Sequence, residues 1–600
     1  MTFMTRRAVA REVLNSPRVE AELAIVAGRV GKPLARARHE AEAALQTMVS
    51  VQTRFFGLLH DRALGPLHAR AWSLDVDGPA LTRLQQTVGM RSLVFLPTHR
   101  SYADHFILGK VLRLAGMPRT YVLGGDNLGF FPIGTIGRRA GAVFIRRSFR
   151  DDEVYKLALR EYMRYLVASG ASLEWYMEGG RSRTGKLRRP RYGLLRYLMD
   201  AIDSGGAADI VLVPVSITYD QLQEVAAMAS EEAGATKAKE GLRWLVDYVR
   251  RQSRKLGRAY VRFGEPFSLG QVKARGDGRS RWTLDKTAFE VFQRINRVTP
   301  VTAPALVSLA LLSVEHHALT LREVRAIIDP LLHYAARRDL PTTALDCLQG
   351  GRGLEAALEA LVQSGVVARR DDDPAPVFHI RRDRHAIAAF YRNSAIHWFV
   401  NRAIVELAIM AAAQSGMDIP LDRGWIRAFA FRDLLKFEFF FSEKVVFQEE
   451  IAAEVALLDP TLLERLPERS EILAVLERAP FLMAHRVLPA FLEAYFVVAD
   501  RLAAHALEAE FDEKAFLAQC VEVGRHYLLQ GRLRHPESVS RELFGNALAL
   551  AGNSGLLQAG TEAVADGRRR FAEEIVAALA AVAAIGDLDD RLRRAAPSAN

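Results

Sequence analysis

The chain has 600 residues, half of them hydrophobic, and carries a net charge of +11, so it can bury sizeable cores without covalent staples. Two cysteines, Cys347 and Cys520, are too few for a disulfide framework or a CxxC metal knuckle, and they fit a reducing compartment. The N-terminal residues show no signal-peptide core, and the best uncharged stretch, 298–314, carries Pro300 and Pro304 and falls short of the ~20 apolar residues a bilayer span requires, so neither export nor a membrane span is expected.

Residues 1–85 are Ala- and Glu-rich with helical spacing and read as an N-terminal helical region, bounded at 1–88. From 91 to 268 the texture changes. Short apolar runs at 93–96, 120–123, 142–145, 172–177, 210–218 and 260–263 alternate with amphipathic helical patterns. One of these, 151–168, opens on Asp151, Asp152 and Glu153, which suits the positive end of a helix dipole. The alternation predicts an α/β domain over 89–290, with a mixed, largely parallel sheet flanked by helices. Residues 291–600 read as a large C-terminal helical domain with a frayed tail after 591. It is interrupted by a helix and β-hairpin over 361–380, a layout also found in winged-helix DNA readers. One hairpin does not outweigh the other features, and no nucleic-acid partner is expected.

The charge is unevenly placed. Residues 138–200 hold thirteen Arg and two Lys against seven acidic residues, a local +8. Such a field attracts phosphate esters, coenzyme A or acidic headgroups. A solvated charged face is the plain alternative. The arginines here adjoin glycines at predicted strand ends, where ligands meet α/β sheets.

The run Leu93-Val-Phe-Leu-Pro-Thr-His99 delivers a histidine to a loop, and Asp104 follows five residues later. On one continuous helix five residues place side chains roughly 140° apart, so the two meet only if His99 lies in the loop and folds back over the first turn. Pro97 as the strand end and Ser101 as N-cap give that path. The carboxylate would then hold the imidazole Nδ1–H and leave the other nitrogen to take a proton. A second reading stands beside it: Ser101-Tyr-Ala-Asp104 is a capping-box pattern, in which Asp104 satisfies backbone N–H groups. The two roles are compatible.

The loop Gly180-Arg-Ser-Arg-Thr-Gly-Lys186 nearly completes a Walker A pattern but carries Leu187 where a magnesium-binding Ser or Thr would stand. Its arginines instead suit direct bidentate links to phosphate. Gly141-Ala-Val-Phe-Ile-Arg146-Arg147 is a strand ending in two arginines, and Glu178 stands ready to position an arginine or a substrate hydroxyl. There is no GxSxG elbow, HExxH or GxGxxG, and the adjacent His316 and His317 would diverge on a helix, so no metal is expected.

In these blocks the chain resembles the bacterial membrane-associated glycerol-3-phosphate acyltransferases, which share four blocks with dihydroxyacetone-phosphate acyltransferases. The H-x4-D block is His99-Arg-Ser-Tyr-Ala-Asp104. The second is Gly141-Ala-Val-Phe-Ile-Arg-Arg147, and the third is Glu178-Gly-Gly-Arg-Ser-Arg-Thr-Gly-Lys186. The fourth is the proline-bearing strand Val211-Leu-Val-Pro214-Val-Ser-Ile. Similarity extends through 234–240 and 260–266.

The resemblance implies that His99, paired with Asp104, takes the proton of the sn-1 hydroxyl of glycerol 3-phosphate as it attacks an acyl thioester. It implies a substrate-binding set of Arg146, Arg147, Glu178, Gly179, Arg181, Ser182 and Arg183, with the arginines on the phosphate. Transfer would be direct, to lysophosphatidic acid, with acyl-CoA or acyl carrier protein as co-substrate and no cofactor. Dihydroxyacetone phosphate and lysophosphatidate are alternative acceptors, and a non-catalytic membrane- or nucleic-acid-binding protein is a reading from another class. A lipid product places the chain peripherally on the cytoplasmic face of the cell membrane, against anionic lipid. The segment 423–441 mixes aromatic and basic residues as interfacial segments do, although core packing is the better account of most of its phenylalanines.

Overall fold

A computed structural model describes residues 5–53, 55–59, 71–87, 91–128, 133–205, 209–235, 255–274, 280–314, 317–343, 345–349, 351–371, 375–507, 510–558 and 560–595. Residues 236–240 of the extended resemblance, His316, the hairpin tip at 372–374 and the last five residues lie outside this set. The chain divides into two compact units. The first takes the described residues of Met1–Ser182, Leu187–Gln223 and Ala238–Thr299, and the second those of Arg183–Lys186, Glu224–Lys237 and Pro300–Asn600.

The first unit is built on a mixed, mostly parallel sheet. Its strands are β1 (Ser73–Val76), β2 (Ser92–Pro97), β3 (Tyr121–Gly125), β4 (Ala142–Ile145), β5 (Leu173–Glu174), β6 (Ile210–Tyr219), β7 (Arg258–Phe263) and β8 (Phe267–Ser268). Their order is β1-β7-β6-β2-β5-β3-β4, with β8 also on β6. Strand β2 lies parallel between β5 and β6 with every residue buried, which its unbroken apolar run requires. Strands β7 and β8 both pair antiparallel with β6, and the other pairings described in this sheet are parallel. Pro214 falls between the β6 residues that meet β8 (Val211, Leu212) and those that meet β7 (from Val215), so its missing N–H interrupts neither antiparallel ladder.

The helices Arg6–Leu14, Pro17–Arg29 and Leu34–Met48 belong to this unit, although the sequence sets them apart as their own region. Ser50 N donates to Tyr162 Oη at 2.9 Å, and Val51 N and Thr53 N donate to the carbonyls of Arg138 and Arg139. Tyr162 sits on the helix Glu153–Ala168, whose Asp152 cap accepts from Tyr155 N. Strand β1 is a correction to the all-helical reading of 1–85: at four residues, most of them only partly buried, it is too short to show a period.

The second unit is helical apart from a small antiparallel sheet. In it the hairpin Ala368–Arg370 with Val377–His379 gains a third strand, Leu319–Thr320. The stretch tested as a span contains the ten-residue helix Ala303–Leu312, buried on all sides. Among the described residues no single helix is long and apolar enough to cross a membrane. Only a pair bent by 87°, Arg382–Ala395 with His397–Ala413, passes by length and composition, and its apolar residues are packed inside the unit. In the aromatic-basic segment Phe431, Phe439 and Phe441 are buried, Trp425 and Phe429 are half-buried, and Ile426 is exposed.

Candidate active site

The chain leaves β2 through Thr98, whose N–H still bonds Val215 O while its hydroxyl both donates to Ile217 O and accepts from Ile217 N. This hydroxyl substitutes for a ladder residue, so the backbone is free to turn and present His99. The loop is then held by its main chain: His99 N donates to Glu178 Oε1 at 2.7 Å, and His99 O accepts from Ser182 N at 2.7 Å.

His99 Nδ1 lies 3.0 Å from Asp104 Oδ2. The same oxygen accepts from Arg100 N (2.7 Å) and Ser101 N (2.9 Å), and Oδ1 accepts from Tyr219 Oη at 2.5 Å. Asp104 is fully buried, whereas the imidazole is 20% exposed. Four donors converge on one carboxylate, fix the Nδ1–H tautomer and turn Nε2 outward. Capping and pairing therefore coexist. The helix Asp104–Leu114 starts three residues after Ser101, with Ala103 at the cap position, and Ser101 Oγ accepts from Ala103 N instead.

Strands β2, β3, β4 and β5 run parallel, so the loops after them open on one edge of the sheet. After β5 the chain turns through Gly179, at φ +67°, where a Cβ would lie 2.7 Å from Arg191 Cγ. Glu178 is buried and bridges two loops, because its second oxygen accepts from Arg188 N at 3.0 Å. Burial pushes its carboxyl up to about 7, against the pull of the His99 and Arg188 N–H groups and of the Arg188 and Arg100 guanidiniums. A raised carboxyl favours folding while protonated, so this contribution is present below about pH 4.5 and is lost as pH rises through about 7. Glu178→Gln should remove that fall, on the order of 3 kcal/mol across the window, flattening the pH dependence of the unfolding midpoint between pH 5 and 8. An unchanged slope would place the titration elsewhere.

Arg181 packs its guanidinium 3.9 Å over the Tyr102 ring and donates to Tyr102 Oη, and Ser182 is buried against the histidine loop. The first and third blocks thus meet. Arg146 and Arg147 leave β4 at the same edge but three strands from β2, about 14 Å by strand spacing. Arg146 Nη1 lies 3.2 Å from Asp152 Oδ2 and its guanidinium covers the Tyr155 ring, while Arg147 Nε donates to Asn127 Oδ1.

Arg183 departs from the expectation of a phosphate ligand. It belongs to the second unit, where its guanidinium pairs with Glu231 at 3.0 Å and Glu232 at 3.2 Å. The next three residues are gripped within that unit too. Thr184 Oγ1 donates to Glu542 Oε1, Thr184 O accepts from Asn393 Nδ2, and a Cβ on Gly185 would lie 1.9 Å from Phe390 O. Lys186 is buried with its ammonium 2.7 Å from Glu438 Oε2. Lys186→Met alone strands a buried carboxylate and should destabilise the second unit by roughly 3 kcal/mol, with most of the loss recovered in Lys186→Met/Glu438→Leu, as read from thermal unfolding.

Sequence reasoning missed two tyrosines that complete the surroundings of His99. Tyr219 stands 115 positions from Asp104, on the neighbouring strand, and Tyr176 stacks on the imidazole with ring centroids 4.1 Å apart.

The geometry thus sets a histidine–carboxylate pair at the carboxyl edge of a mostly parallel sheet, with an arginine loop beside it. Residues 81–218 match the family model described as Acyltransferase, and residues 228–560 match that described as Glycerol-3-phosphate acyltransferase C-terminal region. The chain is 42% identical over 531 residues, 87% of its length and 85% of theirs, to proteins of Mycobacterium bovis and Mycobacterium tuberculosis that carry the name "Putative acyltransferase plsB1". The chain belongs to the glycerol-3-phosphate acyltransferase family, and it is an acyltransferase of glycerolipid metabolism.

Proposed function

We propose that the enzyme transfers an acyl group from acyl-CoA or acyl carrier protein to the sn-1 hydroxyl of glycerol 3-phosphate, with His99 as general base and no further cofactor. The observation that carries this reading is the outward-facing imidazole held by a four-donor carboxylate, next to the Arg181–Ser182 turn. His99 Nε2 takes the hydroxyl proton as the oxygen bonds to the thioester carbonyl carbon. The tetrahedral intermediate then collapses, the carbon–sulfur bond breaks, and the imidazolium returns the proton to the thiolate. The Asp104 carboxylate orients the ring and stabilises the imidazolium.

Arg181, with Arg146 and Arg147 along the same edge, meets the phosphate. Arg183 is left out of this set, because two carboxylates already neutralise it. Glu178, Gly179 and Ser182 shape the loop through backbone contacts. Family membership favours this enzyme over a purely binding role. Dihydroxyacetone phosphate and lysophosphatidate remain the acceptors to compare. A side-by-side assay should give glycerol 3-phosphate the highest kcat/KM, and a preference for lysophosphatidate would overturn the assignment.

Attachment to a bilayer surface follows from the lipid product and the basic excess over 138–200, and no single helix among the described residues is long and apolar enough to span. Salt screens such contacts, so the protein should sediment with anionic vesicles at about 0.05 M salt and be released in good part at about 1 M. Recovery in the supernatant at both ionic strengths would count against a charged membrane face.

A further inference from the structure

Tyr176 has no role in the chemistry described so far, yet its ring lies against the imidazole of His99, with centroids 4.1 Å apart and planes inclined by 29°. The phenol is pinned from behind. Its hydroxyl donates to Glu174 Oε1 at 3.1 Å, and Glu174 is a fully buried carboxylate that also accepts from Thr120 Oγ1 at 3.0 Å and lies 3.2 Å from His105 Nδ1. Burial and the nearby Glu174 and Asp104 carboxylates raise the phenol well above its ordinary range, so it remains a donor at every working pH. A ring fixed in this way presents its π face to His99 in both protonation states.

We propose that Tyr176, locked by Glu174, is a positioning residue that holds the His99 ring in its reactive orientation and stabilises its imidazolium form by a cation–π contact. The proposal rests on His99 being the general base. An aromatic face attracts a desolvated cation more than a neutral ring, so the stack strengthens as the base takes the substrate proton and relaxes when the proton passes to the thiolate. The ionisable groups around His99 and its partner are Asp104 on the following helix, Arg100 in the same loop, Glu174 on β5, Glu178 after it, Tyr219 on β6, and His105. Tyr176→Leu also takes one donor from Glu174, and Tyr176→Phe, which removes only that hydroxyl, separates this loss from loss of the stack itself.

The test is the pH profile of kcat/KM for transfer from an acyl thioester to glycerol 3-phosphate, with His99→Ala as reference. Tyr176→Leu should lower kcat about tenfold and move the acidic limb down by about half to one pH unit, while Tyr176→Phe keeps the limb in place and kcat within about threefold. Pentafluorophenylalanine at position 176 keeps the shape but reverses the charge distribution of the ring. It should shift the limb as leucine does, and it serves if the leucine variant does not fold. Loss of rate without a shift in the limb, or a profile unchanged in both variants, overturns the proposal. Activity surviving in His99→Ala would instead remove the general-base reading beneath it, so the two failures are distinguishable.

Discussion

His99→Ala should lower kcat by about three orders of magnitude, leave KM for glycerol 3-phosphate within about threefold, and leave the fold intact. General-base assistance to an alcohol of high pKa contributes about 10²–10⁴, and the sequence blocks offer no other group with an unengaged basic nitrogen facing outward. The substitution is clean for a structural reason. The loop is fastened by His99 N to Glu178 and by His99 O from Ser182, both through main-chain atoms that alanine retains. Asp104 loses one of four donors and keeps Arg100 N, Ser101 N and Tyr219 Oη. An unfolding midpoint near that of the parent, together with a collapsed kcat, is therefore expected. Activity within tenfold of the parent would remove His99 from the chemistry.

The layered α/β architecture was legible because β2, β4 and β6 are apolar runs too short for helices and separated by amphipathic stretches. Where the reading of the sheet failed, pairing was at fault. Strand β1 has four residues and gains its place only by lying along β7, some 180 positions away. Strand β5 is shorter than the run at 172–177, because after Glu174 the chain turns to aim Tyr176 and Glu178 at the histidine loop. Spacing also showed that His99 and Asp104 could meet only across a loop, and they do lie within hydrogen-bonding distance.

What spacing could not show is who else meets them. Tyr219 reaches Asp104 from another strand, and the partners of Arg183, Glu231 and Glu232, lie about 50 positions downstream on the helix Val225–Glu232. An arginine beside a glycine loop looks the same in sequence whether it waits for phosphate or is already bound by carboxylates. The third block is thus divided. Its Glu178–Ser182 half serves the histidine loop, and its Arg183–Lys186 half belongs to the second unit. That division gives the C-terminal helices a structural claim on a sequence block that reads as purely catalytic.

Asp104 should distinguish charge from scaffolding more sharply than His99 can. Asp104→Ala leaves the His99 Nδ1–H, two main-chain N–H groups and the Tyr219 hydroxyl facing an apolar methyl in a buried site. At about 1–3 kcal/mol per orphaned donor this should cost several kcal/mol of stability and at least three orders of magnitude in kcat. Asp104→Asn should behave differently. An amide at such a position commonly turns its NH2 to the imidazole and inverts the tautomer. Here the Arg100 and Ser101 N–H groups converge on the same oxygen as His99 and oppose that orientation. The amide oxygen therefore takes the Oδ2 place and the NH2 faces Tyr219, whose hydroxyl can accept. The tautomer survives and only the negative charge is lost, so the fold should stay close to the parent while kcat falls about a hundredfold. The acidic limb of the rate profile should also move down, because the imidazolium has lost its counter-charge. An asparagine variant as unstable and inactive as the alanine one would show that the orientation set by the backbone does not hold. One with more than half the parent's activity would show that the charge on Asp104 contributes little to the proton transfer.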